Sequence, residues 1–129
     1  MHDEAAPHTY TVPPKLRLNG WALSGEWTLM GDLIRLTRPS GRIVYRFHAR
    51  DVNLVVRPTT PAQPVRFRVL IDGEPPRVAH GTDTDEHGYG VVREPRLYQL
   101  IRQPGRIDDR RFEIEFFDAH VEAYAFTFG

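Results

Sequence analysis

"RIVYRFHA", residues 42–49, alternates without a break. Ile43, Tyr45, Phe47 and Ala49 fall on one side, and Arg42, Val44, Arg46 and His48 on the other. A period of two marks a strand with one face in a core and one in water. The pattern recurs in "VRFRVLI", where Val65, Phe67, Val69 and Ile71 oppose Arg66 and Arg68. It recurs again in "RFEIEFF", where Phe112, Ile114 and Phe116 oppose Glu113 and Glu115. Further strands are expected at 21–29, 32–37, 52–57, 89–93, 96–102 and 120–128.

Turn chemistry separates these runs. "RPSGR" (38–42), "RPTTPAQP" (57–64), "IDGEPP" (71–76) and "RQPGR" (102–106) all carry Pro or Gly. The best helix candidate, "RLYQLIRQ", alternates Leu97, Gln99 and Ile101 with Tyr98 and Leu100 before a proline, and reads as a strand. Short strands at this spacing predict an all-β fold, a two-sheet jelly-roll sandwich over 15–129. Residues 1–14, polar and with three prolines, read as a flexible tail or former linker.

Composition bounds the function. A chain of 129 residues, 40% apolar and 26% charged, holds one domain with a real core. Seventeen basic and seventeen acidic side chains cancel, which argues against nucleic acid as a partner. No apolar run approaches a bilayer span, and the N-terminus shows no signal-peptide core, so no membrane insertion is expected. There is no cysteine, so thiol redox chemistry, Cys-ligated zinc and disulfides are excluded. Ser24 and Ser40 are the only serines, and neither lies in a nucleophile elbow. No zinc-protease motif or phosphate loop is present. The chain is expected to bind and not to catalyse.

The outward Arg42, Arg46, His48, Arg66, Arg68, Glu113 and Glu115 predict a solvated face with cross-strand ion pairs. A polar face that grips a sugar or peptide is the sharper alternative. Trp21 and Trp27 share strand parity with Leu23 and are expected in the core.

The stretch "HGTDTDEHGYG" (80–90) is denser in functional residue types. Counted from Asp83, it runs D-x-D-x-H-G-x-G-x-x-x-E to Glu94. Asp83, Asp85, Gly88 and Glu94 meet a calcium-loop template, with no other cofactor expected, whereas His87 breaks it, since calcium prefers oxygen donors. His80 and His87 lack a third ligand for zinc or nickel. Three readings stand open: a structural Asp/Gly turn, a hard-cation loop at Asp83, Asp85 and Glu94, and a ligand lip. For the last, Tyr89, Arg96 and Tyr98 with Asp83 and Asp85 form the candidate binding set, Gln99 and Arg102 flanking it.

Six segments then come in one order: "WALSGEW" (21–27), "FHARDVNLVV" (47–56), "FRVLIDGEPP" (67–76), "HGTDTDEHGYG" (80–90), "RLYQLIRQPG" (96–105) and "FEIEFFDAHVEAYAFTFG" (112–129). Together they resemble the C-terminal β-sandwich domain of bacterial thioredoxin-family proteins, including the DipZ-type cytochrome c biogenesis protein. The resemblance implies a galactose-binding-like jelly roll similar to a carbohydrate-binding module. It also implies a glycan as ligand and a thioredoxin-fold domain as neighbour. An extracytoplasmic setting follows if the chain is a piece of a DipZ-type protein, a cytoplasmic one if it stands alone. The Cys pair of a thioredoxin domain is absent, so redox activity does not carry over. The alternative is a protein-interaction or self-assembly domain, which predicts an exposed apolar patch and a homo-oligomer joined through "AYAFTFG" (123–129).

Overall fold

The computed structural model describes residues 6–129. Ten strands follow in order: β1 His8–Tyr10, β2 Trp21–Met30, β3 Leu33–Leu36, β4 Gly41–Phe47, β5 Asp51–Pro58, β6 Val65–Ile71, β7 Tyr89–Val92, β8 Arg96–Arg102, β9 Arg110–Phe116 and β10 Val121–Phe128. A single 3-10 turn at Arg77–Ala79 interrupts them. The alternating segments at 42–49, 65–71 and 111–117 are β4, β6 and β9, and they are neighbours in one antiparallel sheet.

All pairing is antiparallel, in the order β7-β6-β9-β4-β2-β3-β10-β5-β8, with β1 also on β2. The ladder closes over itself as a jelly-roll sandwich because β2 serves both sheets. Trp21–Ser24 pair with β4, and Trp27–Met30 pair with β3. The strand turns from one sheet to the other at Gly25, where φ is +102° and a Cβ would lie 3.0 Å from the Gly41 Cα. Only glycine fits such a left-handed, crowded position without strain.

The inward faces meet in one core. Ile43, Phe47, Val65, Phe67, Val69, Phe112, Ile114 and Phe116 come from one sheet, and Trp27, Leu36, Val52, Leu54, Val56, Tyr98 and Val121 from the other. Trp27 is 0% exposed, its ring set edge-on to Phe116 at 6.2 Å, and its indole N–H donates to the Ser24 carbonyl at 3.0 Å. Outside, the charged face is laced as expected, though not across every register pair. Arg42 reaches Glu113 on the diagonal at 3.2 Å, Arg46 and His48 share Asp109, and Arg66 grips Asp118 at 2.9 Å. On the other sheet Glu122 is 1% exposed between Arg35 and Arg57, each Nε donating at 2.7 Å. Burial pushes the Glu122 carboxyl up, but the bonds and charges of Arg57 and Arg35 outweigh it and hold it below its ordinary value.

Two expectations need correction. His8–Tyr10, placed in the tail, is an edge strand on β2. Trp21 is 52% exposed and not in the core, although Leu23 and Trp27 of the same parity are buried: it is the first residue of β2, beyond the enclosed part of the strand. The last strand is flanked by β5 from Val121 to Phe128 but by β3 only from Val121 to Ala123, so its β3 side is open beyond Ala123.

Candidate functional site

β3 has four residues against eight in β10, and their pairing stops at Ala123↔Ile34. There β10 bulges at Tyr124, between the pairs Ala123↔Val56 and Ala125↔Val55. A bulge bends its strand and adds twist. Past it lies a cleft of about 560 Å³. Trp21 and Tyr45 form one wall, Leu29 and Leu33 the hairpin side, and Phe126 the β10 side, with Asp32 at the β2–β3 turn. The aromatic wall is continuous: the Tyr45 ring sits 5.4 Å from Phe126 and 4.8 Å from Phe128. The Asp32 carboxylate is exposed and has no hydrogen-bond or ion-pair partner among the described residues. Size, apolar lining and a single placed charge suit a small-ligand site.

The expected binding set lies elsewhere and is occupied with itself. Asp83 accepts two bonds from Arg96, at 2.7 and 3.1 Å, and a third from the Gln99 N–H at 2.7 Å. The hydrogen bond from Arg96 outweighs desolvation and keeps the Asp83 carboxyl below its usual range. The Arg96 guanidinium also lies 3.8 Å over the Tyr98 ring. Tyr98 is 1% exposed, so it offers no ring wall to a ligand. Its hydroxyl accepts from the Arg93 and Glu94 N–H groups and donates to the Glu94 carbonyl, which locks the turn into β8. Asp85 Oδ1 accepts from the His87 and Tyr89 N–H groups, both at 2.9 Å, as a turn aspartate does. Gly88, at φ +94°, lets this turn press on β6, since a Cβ would stand 2.1 Å from the Val69 carbonyl.

Tyr89 does project, at 47% exposed, with Arg68 4.8 Å over its ring. The spacing from Asp83 to Glu94 does not become a cage: Glu94 reaches Arg96 at 3.4 Å, and no group of three or more His, Asp or Glu side chains that could hold a metal gathers among the described residues. The structure thus joins Asp83, Arg96 and Tyr98 in one stacked, ion-paired unit that clasps the loop to β8. Tyr89 stands on the neighbouring β7, and the cleft is built from other residues.

The fold is an antiparallel all-β sandwich. The chain belongs to the thioredoxin-like C-terminal domain family, whose family model matches residues 2–129. No curated protein matches it by sequence. Among solved structures, a family two carbohydrate esterase from Clostridium thermocellum in complex with cellohexaose superposes with a TM-score of 0.62 at 12% identity, over 85% of this chain and 31% of that one. A family two carbohydrate esterase from Cellvibrio japonicus gives 0.63 at 12% identity, over 97% and 34%. This chain therefore spans about a third of the length of those enzymes. At such identity the likeness is one of fold.

Proposed function

We propose that this domain is a non-catalytic module that binds a glycan in the cleft between β2, β4 and β10, as an accessory to a thioredoxin-fold domain. The observation that carries the reading is Trp21, a large ring half in solvent at the lip of an aromatic-walled cleft. Sugar rings present an apolar C–H face, and an exposed indole beside Tyr45 and Phe126 offers a platform for it. Asp32 supplies an unpaired acceptor for hydroxyl groups. The family's description supports the thioredoxin part of this assignment, and a carbohydrate esterase solved with cellohexaose shares the fold.

Calorimetry with oligosaccharides, backed by Trp21 fluorescence, tests it. Trp21→Ala should weaken binding about ten-fold, the worth of one stacking contact. Tyr89→Ala, on a different strand, should leave affinity unchanged. Binding that survives Trp21→Ala but is lost in Tyr89→Ala would move the site to the 80–90 loop. The exposed Leu18, Trp21 and Leu29 favour a second reading, a protein-interaction domain, which would show as partner binding with no affinity for any sugar.

A further inference from the structure

The cleft's side chains are poor in polar groups, but its main chain is not. The phase of the β5–β10 ladder is set at its end, where the Gly129 N–H donates to the Asp51 carbonyl at 3.3 Å and the Asp51 N–H to the Gly129 carbonyl at 3.4 Å. In an antiparallel ladder, pairs that exchange bonds alternate with pairs that do not. Thr127↔Asn53 and Ala125↔Val55 are therefore bonded pairs, and Phe126↔Leu54 is not. The N–H and C=O of Phe126 point away from β5, toward the side where β3 has ended. β3 does not take them up, since its pairing with β10 ends at Ala123↔Ile34. Phe126 also lines the cleft, so one residue supplies it with an adjacent donor and acceptor.

We propose that this open main-chain pair selects glycans built of 2-acetamido sugars, an inference that rests on the glycan reading above. On a pyranose, the 2-acetamido N–H and the neighbouring 3-hydroxyl are vicinal. The N–H donates to the Phe126 carbonyl, and the hydroxyl oxygen accepts from the Phe126 N–H. A plain 2-hydroxyl also donates to a carbonyl, so this bond alone does not discriminate. The acetyl methyl does. It enters a space walled by Leu33, Ile34 and Ala123, which a 2-hydroxyl sugar leaves to water.

The test compares β-1,4-linked tetramers of N-acetylglucosamine and of glucose against the full chain, by calorimetry and by amide NMR. The acetamido tetramer should bind about four-fold tighter, the worth of one buried methyl. It should shift the Phe126 amide resonance, and both tetramers should weaken in Trp21→Ala. Equal affinity with the Trp21 dependence intact overturns the acetamido inference and leaves the glycan reading standing. Such a preference without any shift of the Phe126 amide also overturns it, because selection would then reside elsewhere. If neither tetramer binds at millimolar concentration, the glycan reading itself fails.

Discussion

Trp21 and Trp27 sit six residues apart on one strand, and the structure gives them opposite duties. Truncating each to alanine should separate stability from binding. Trp27 is wholly enclosed, so Trp27→Ala removes its transfer free energy and leaves a cavity, at a cost of about 3–5 kcal/mol. In a domain of this size each kcal/mol lowers the melting temperature by about 3–5 °C, so a drop of roughly 10–20 °C is expected. Trp21 keeps 52% of its surface in water, and its removal should cost about 1 kcal/mol, near 4 °C. Thermal unfolding followed by circular dichroism measures both. Fluorescence then assigns the roles: with Trp27 alone, emission should be blue-shifted and unresponsive to ligand. With Trp21 alone, in Trp27→Phe, emission should be red-shifted and change on addition of sugar. Equal losses of stability in the two alanine variants, or a blue-shifted Trp21, would refute the difference in burial between them.

Three more outcomes follow from the geometry. Glu122, held by two arginines, has its folded pKa depressed below the ordinary value of 4.5, so its contribution is present above that pH and is lost on further acidification. Glu122→Gln should cost about 1–3 kcal/mol at pH 7 and much less near pH 3, and a pH-independent difference in melting temperature between the two proteins would contradict the ion-pair account. Calcium should leave the melting temperature unchanged, because the Asp83 carboxylate is held by Arg96 and Gln99 and that of Asp85 by two loop amides. A site filled at a hundredfold its Kd would add about 2.7 kcal/mol, so a clear rise that vanishes in Asp83→Ala overturns this. Gly25→Ala should destabilise by about 1–3 kcal/mol through its left-handed backbone and the contact with Gly41. A neutral effect in chemical denaturation would show that the bend relaxes freely.

What could be read from the chain follows from what sets each feature. β4, β6 and β9 each bury one face, and a period of two reports that directly. β1 carries no such pattern: His8–Tyr10 is three residues long, none of them fully buried, so pairing with β2 alone defines it. Trp21 shares its parity with the buried Leu23 and Trp27 yet stands exposed, because parity reports which face a side chain takes and not whether anything covers the end of the strand. The 80–90 loop drew attention because aspartate and glycine serve turns and sites by the same hydrogen-bonding and backbone properties. Tyr98 carries a ring of the kind that binds sugars, but it faces inward and spends its hydroxyl on the turn. The cleft left no local trace at all. It arises where a short β3 stops against a longer β10, bringing residues near 21–34 together with residues near 123–126.

The shared strand has a consequence for how the cleft behaves. Trp21 stands on the half of β2 paired with β4, and Leu29 on the half paired with β3, so opposite lips of the opening belong to one continuous piece of backbone. Its aperture is then governed by the angle at Gly25, a single elbow, and not by the motion of a lid. Because β2 belongs to both sheets, the two are joined through that elbow by one backbone and not by packing alone. The receptor geometry and the global fold share one cooperative unit, and any change that softens the elbow is felt in both.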